Sequence, residues 1–249
     1  FLYSAHLPPT NTELAYNPAF KHIPTAVSKI MNYFEQARFN MVEQQIRPWS
    51  VLDFDVLDAL AEVPREQFVA PEQQAYAYAD LSLPLPNGSA MLEPKVVARL
   101  IQGLKLTKKD TVLEIGTGSG YATAVLSKLA GRVITVDTDE AQQQKARAVL
   151  EGLGITNIDY RIGDGLVNPP IATVSAIYVG GSCPVMPETL RSKLPAGGRM
   201  AVIVGQEPVM HALLVQCNGE DSYEQSVMFD TVAPALSGPA VKKASSFRF

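Results

Sequence analysis

Apolar and polar positions along this chain follow two rhythms, and the change between them divides it. From Met31 the spacing is helical: Phe34, Ala37 and Met41 share one face until Pro48 breaks the pattern. Asp53 stands where the cap of a second helix belongs, with Val56, Leu57, Leu60 and Ala61 as its apolar stripe. Pro64-Arg65-Glu66-Gln67-Phe68-Val69 ends that helix. Residues 71–93 read as irregular, with Pro84, Pro86 and Asn87-Gly88 as turn formers. A third helix starts at Pro94, a residue suited to a first helical position, and buries Val96, Val97, Leu100, Ile101 and Leu104.

After Lys108-Lys109-Asp110 short apolar runs alternate with amphipathic stretches. The pattern predicts strand 111–115, helix 121–129, strand 133–137, helix 140–152, strands 158–162 and 174–179, helix 187–194 and strand 199–204. In helix 140–152 the stripe is Ala146, Val149 and Leu150 with the following Leu153, and Gly152 and Gly154 stop it. This alternation implies an α/β fold built on a doubly wound, mostly parallel sheet. Leu213 to Val232 reads as two strand-like runs about a turn at Asn218-Gly219, an antiparallel pair at one edge. Residues 1–30 differ from the rest, because Pro8, Pro9, Pro18 and Pro24 interrupt every candidate helix. They are expected to form a loosely ordered leader or extension, or to dock through Phe1, Tyr3, Tyr16 and Phe20.

Composition narrows the setting. The 249 residues are 47% hydrophobic and 18% charged, which suits one globular domain with or without an appendage. A net charge of −4 without a block of Lys or Arg lacks the electrostatic footprint of a nucleic-acid binder. No apolar run approaches the roughly 20 residues that span a bilayer, and no secretory signal is apparent, so the expected setting is the cytoplasm. Cys183 and Cys217, with His6, His22 and His211, have neither the spacing of a disulfide framework nor that of a metal site.

The chemistry concentrates at Val112-Leu113-Glu114-Ile115-Gly116-Thr117-Gly118-Ser119-Gly120-Tyr121, a buried strand running through a glycine-rich turn into a helix. A dinucleotide fingerprint is G-x-G-x-x-G, whereas here the third glycine comes one position early. Glu114 near the strand end also argues against a pyrophosphate and for a cationic ligand without phosphate. Asp137 closes the next strand 21 residues after Gly116, the spacing at which an acid meets ribose hydroxyls, with Thr138 beside it. S-adenosylmethionine, a sulfonium on adenosine that leaves as S-adenosylhomocysteine, fits this combination. The other strand ends that face such a ligand are Gly163-Asp164-Gly165 and Gly180-Gly181-Ser182. Asp164 is placed to accept from the exocyclic amine of adenine, or to form an Asx-turn that supports Gly165. The cofactor-binding set is therefore Glu114, Gly116, Thr117, Gly118, Ser119, Gly120, Asp137, Thr138, Asp164, Gly165 and Gly180.

Several of these pieces carry a specific likeness. Pro64-Arg65-Glu66-Gln67-Phe68-Val69, Leu83-Pro84-Leu85, Pro94 with Val97-Ala98, Leu113 to Tyr121, Gly163-Asp164-Gly165 and Leu194-Pro195-Ala196-Gly197-Gly198-Arg199 together resemble the protein-L-isoaspartate O-methyltransferase family over residues 34–249. The resemblance implies a Rossmann-like S-adenosylmethionine methyltransferase fold. It also implies methyl transfer to the carboxylate of L-isoaspartyl residues in damaged proteins or peptides, where the ester closes to a succinimide that can reopen as aspartate. On this likeness the chain divides into the leader (1–30), an N-terminal helical cap with the acceptor loop (31–93) and the methyltransferase domain (94–249). The partner is an isoaspartyl protein or peptide, with no nucleic acid, membrane or metal, and either a monomer or a dimer is open.

The likeness fails at the acceptor loop. Typical members carry Gly-Gln-Thr-Ile-Ser-x-Pro, whose Thr and Ser hydroxyls face the isoaspartyl carboxylate. Here the segment is Gly88-Ser89-Ala90-Met91-Leu92-Glu93-Pro94, so Ala90 and Leu92 hold those positions and Ser89 is the hydroxyl left for a catalytic role. Ser175 likewise stands where the family usually has Asp. A second reading follows: a member that binds S-adenosylmethionine but methylates another acceptor, or serves as a binding module. Cys183, Trp49 and His211 read as a packed thiol, a packing anchor and a surface or hydrogen-bonded residue.

Overall fold

The computed structural model describes residues 25–170, 174–219 and 222–238. Most of the leader, including Phe1, Tyr3, Tyr16 and Phe20, lies outside the described residues. The first helix, α1, runs Thr25–Asn40, so it begins ahead of Met31, and it continues into a wider helical turn at Met41–Ile46. Helix α2 spans Phe54–Glu62, and the Asp53 carboxylate caps it by accepting from the amides of Asp55 (3.0 Å) and Val56 (3.4 Å). Its buried stripe is Val56, Leu57, Ala59 and Leu60, with Ala61 turned to solvent. Asp53→Ala should lower unfolding free energy by about 1 kcal/mol, read as a shift of the urea midpoint at unchanged slope.

Residues 71–93 are less irregular than the turn formers suggest. A 3-10 turn covers Pro71–Tyr76, and a two-stranded antiparallel ribbon pairs β1 (Leu83–Pro84) with β2 (Ala90–Met91). Helix α3 spans Pro94–Leu104, and all five predicted apolar positions are buried.

The remaining elements are β3 (Thr111–Ile115), α4 (Tyr121–Leu129), β4 (Arg132–Asp137), α5 (Glu140–Gly152), β5 (Ile158–Ile162), β6 (Ala176–Cys183), α6 (Glu188–Arg191), β7 (Arg199–Gln206), β8 (Val209–Gly219) and β9 (Ser222–Thr231). They build one seven-stranded sheet in the order β5-β4-β3-β6-β7-β8-β9. The first five of these strands are parallel, and β8 and β9 add the antiparallel edge. Strand order reverses between β3 and β6, so the carboxyl ends of these two diverge over a crevice.

Side chains alternate across the sheet. Val112, Tyr178, Ala176 and Ala201 face a core shared with α2, α3 and α4, while Leu113, Ile115, Ile177 and Met200 face a second core with Leu190 and Leu194. The edge is anchored to the N-terminal segment, because Trp49 meets Phe229 edge-on and Arg99 bridges the carbonyls of Trp49 and Met228. His211 is a surface residue paired with Asp230 (2.7 Å), and Cys183 is buried among apolar side chains, which raises its thiol to about 11.

Several elements differ in extent from their predicted spans, α6 and β6 most of all. Helix α6 has four residues, Leu190 being the buried one among them, and the chain reaches Leu194 and Pro195 through turns. Strand β6 continues past Val179 through Gly180-Gly181. The segment after β9 folds back beside it: Ser182 donates to the carbonyl of Pro234 (2.8 Å) and accepts from the amide of Leu236 (3.0 Å). Ser175 completes a buried group in which Asp110 accepts from Ser175 (2.7 Å) and from Arg199 (3.0 Å).

Candidate active site

The crevice between β3 and β6 holds a cavity of about 60 Å³, lined by Ile115, Gly116, Gly118, Val136, Asp137, Thr138, Asp164, Gly165, Leu166 and Gly180. Its far wall comes from Asn87, Ser89 and Ala90 on the acceptor loop and from Pro234 to Ser237. A second cavity, of about 40 Å³, lies beneath the loop against Ala90, Met91, Leu92, Thr117, Ser119 and Tyr121. The two share Leu85, Ala90, Gly116, Gly118 and Gly180 as common walls.

Close backbone approach makes this junction. A Cβ on Gly180 would stand 2.8 Å from the Gly116 carbonyl oxygen and 3.2 Å from that of Ile115, neither of which can yield. Gly116 has φ +86°, in the left-handed region that glycine tolerates. Gly120 serves packing instead, since a Cβ there would press on Ala146 and Leu150 of α5, and it lines neither cavity.

Asp137 is the pivot of the site. Its carboxylate accepts from the amide of Gly118 (2.9 Å) and from the amide of Asp139 (2.9 Å), which ties the glycine loop to the start of α5. Asp164 lines the same cavity and accepts from the Leu166 amide (2.9 Å), so the Asx-turn geometry is present together with the ligand-facing position. Ser89 faces the first cavity with its hydroxyl donating to Asn87 Oδ1 (2.6 Å). Ser119 caps the Tyr121 amide (3.2 Å), and the buried Thr117 hydroxyl pairs with Thr135 (2.7 Å), so both reach the second cavity with their hydroxyls already engaged.

Glu114 requires a correction. It is wholly buried between β3 and α4, accepts from Thr123 (2.6 Å), and lines neither cavity. Burial pushes its carboxyl up to about 8, against hydrogen bonds from Thr123 and Thr135 that pull it down. It is therefore mostly uncharged at neutral pH, and it repels no pyrophosphate. The negative character of the cleft comes from Asp137 and Asp164, and among the described residues no Lys or Arg lines the first cavity. A cationic nucleoside without phosphate fits this lining, and a dinucleotide does not.

Two contributors escape a reading of the glycine motif. Gln142 and Gln143 are buried in α5 and donate to the carbonyl of Gly118 (3.0 Å) and to Thr117 Oγ1 (2.9 Å), so amides continue the buried face ahead of the predicted apolar stripe. Extending that stripe backwards from Leu150 and Ala146 by three residues reaches Gln143, which is the signal available in the sequence. Pro234 to Ser237 had no motif to mark them.

A sheet in this order, with an acidic cleft where its strand order reverses, defines an S-adenosylmethionine-dependent methyltransferase. The family model described as protein-L-isoaspartate(D-aspartate) O-methyltransferase matches residues 36–236, and the chain belongs to this family. It is 37% identical over 191 residues to the protein-L-isoaspartate O-methyltransferase of Roseiflexus sp. (strain RS-1), covering 76% of this chain and 88% of the relative. It is 41% identical over 188 residues to protein-L-isoaspartate O-methyltransferase 1 of Rhodopseudomonas palustris (strain HaA2), covering 75% and 76% of the two. A solved protein-L-isoaspartate O-methyltransferase superposes with a TM-score of 0.70 at 26% identity, covering 82% of this chain and 67% of the other. A Plasmodium falciparum structure, titled as a putative member in complex with S-adenosyl-L-homocysteine, has the same fold at a TM-score of 0.67 and 18% identity, covering 82% and 98%. No helix among the described residues is long and apolar enough to cross a membrane.

Proposed function

We propose that this chain transfers the methyl group of S-adenosylmethionine to the free carboxylate of L-isoaspartyl residues in damaged proteins or peptides. The observation that carries the reading is the pair of joined cavities, one acidic at the switch point and one beneath the acceptor loop, meeting at Gly116, Gly118 and Gly180. When bound, the cofactor supplies an electrophilic methyl group on a positively charged sulfur.

Asp137 and Thr138 would hold the ribose hydroxyls, and Asp164 would accept from the adenine amine beside Ile115, Val136 and Leu166. Gly116 and Gly180, without Cβ atoms, let their backbones come together at the wall the two cavities share. An acceptor carboxylate is ionised at neutral pH, since its ordinary value lies near 4, so the site needs no general base. Its task is alignment and exclusion of water, which can be worth roughly 7–11 kcal/mol of barrier. Ser89, the hydroxyl this loop retains, stands at the cavity wall where an incoming carboxylate would pass.

Incubation with labelled S-adenosylmethionine and an isoaspartyl peptide should yield a base-labile methyl ester, with none on the matching aspartyl peptide. Cofactor binding without any ester would refute the acceptor half of this reading and leave a binding protein.

A further inference from the structure

The wall of the second cavity contains a buried charge that no carboxylate among the described residues pairs with. Arg65 is 0% exposed. Its Nε donates to the carbonyl of Ala77 (2.8 Å) and its Nη2 to that of Leu92 (3.0 Å), while Nη1 makes no hydrogen bond to the described residues. The guanidinium lies 4.5 Å from the ring centroid of Tyr121, whose hydroxyl is also buried and has no partner other than Arg65 among the described residues. The titratable groups that bear on Arg65 are Tyr121, Tyr78 and Tyr178, with no carboxylate among them. Arg65, Tyr121 and Tyr178 all line the cavity beneath the acceptor loop.

Buried cations are ordinarily paired, and an orphaned donor in a closed site calls for a reason. A guanidinium nitrogen only donates, and a phenol can donate, so the two groups form a donor set for an anion. A planar fork over an aromatic ring suits a carboxylate in particular. The roof of the same cavity is Ala90 and Leu92, which bring no side-chain donor, so the polar contacts available to an anion there come from below.

We propose that Arg65 and Tyr121 form a carboxylate-binding subsite under the glycine loop. The inference rests on the methyl-transfer reading, in which two carboxylates come near this point: that of the cofactor's own amino-acid end and that of the isoaspartyl acceptor. Both offer the same chemistry, and binding measurements separate them.

Calorimetric titration of S-adenosylhomocysteine and of 5′-methylthioadenosine, which lacks the amino-acid carboxylate, into wild type, Arg65→Lys and Tyr121→Phe is the test. KM for an isoaspartyl peptide is measured on the same preparations. Arg65→Lys, which loses the fork but keeps the charge, should weaken one carboxylate ligand by about tenfold, and Tyr121→Phe by about fivefold. Methylthioadenosine binding should stay within about twofold of wild type, since it makes no carboxylate contact. Loss of S-adenosylhomocysteine affinity assigns the subsite to the cofactor, and a raised peptide KM with that affinity intact assigns it to the acceptor. Tyr121→Phe keeps its ring beneath the guanidinium, so it carries the test if Arg65→Lys does not fold. Wild-type values for both carboxylate ligands in a folded variant overturn the proposal. Failure of the wild type itself to bind either nucleoside would instead overturn the donor reading on which it rests.

Discussion

Asp137→Ala is expected to raise the dissociation constant for S-adenosylhomocysteine by about 100-fold or more, since hydrogen bonds to a charged group are worth roughly 1.5–3 kcal/mol each. Two such bonds are visible within the protein, from the amides of Gly118 and Asp139. Their loss releases Gly118, which lines the cavity, and unsettles the first turn of α5, although the Gly116 amide still holds the loop to Val136 of β4. A further contact is lost where the carboxylate would meet the ribose, and Asp164 does not replace it from its own strand end. Asp137→Asn should recover little, because its amide nitrogen would turn a donor toward one of two backbone donors. Isothermal titration checks both variants, with the thermal midpoint as control for folding. An affinity within threefold of wild type in a folded Asp137→Ala protein would remove Asp137 from the site.

The place of Asp137 at the cavity wall was legible in the sequence because a parallel strand announces its own end. Val133 to Val136 is a buried, mostly apolar run, and the acid that follows must emerge at the carboxyl edge of the sheet, where ligands of doubly wound folds sit. The same logic located Gly116, Asp164 and Gly180, whose backbones converge on one cavity from three different strands. It failed for Glu114, one residue short of the strand end. Period-two alternation turns that side chain into the core beside Val112 and Tyr178 instead of toward the mouth. Proximity to the motif in sequence is not proximity to the ligand, and strand parity decides between them. Contributors outside the βα alternation were harder to see. Pro234 to Ser237 reach the cavity because β6 runs on past its last pair with β3, Ile115 with Val179, and the edge left there at Ser182 pairs with them. Arg65 carried no local sign of burial, since arginine is normally an exposed residue. Its position depends on carbonyls at Ala77 and Leu92, which a single sequence does not bring together.

The misplaced acid has a consequence for stability with a defined sign. The Glu114 carboxyl is 0% exposed; its Oε2 accepts from Thr123 (2.6 Å), and Thr135 lies across from it on β4. Burial, reinforced by the charge of Asp137, raises it from 4.5 to about 8, with the hydrogen bonds of Thr123 and Thr135 opposing. An acid raised in the folded state favours folding while both states are protonated. As pH climbs above about 4.5 the unfolded chain ionises and the folded one does not, so stability falls until the folded carboxyl itself ionises near 8. At about 1.4 kcal/mol per pH unit the accumulated penalty is on the order of 4–5 kcal/mol. Glu114→Gln presents a neutral side chain of the same shape at every pH and should abolish this slope. Urea unfolding of both proteins between pH 5 and 8.5 isolates the effect, because every other titrating group cancels in the difference. Wild type and variant should converge toward the acid end, and the variant should be more stable by several kcal/mol at the alkaline end. A difference that does not change with pH would mean that Glu114 is ionised in the folded protein, and the assignment of the cleft's charge to Asp137 and Asp164 alone would fall with it.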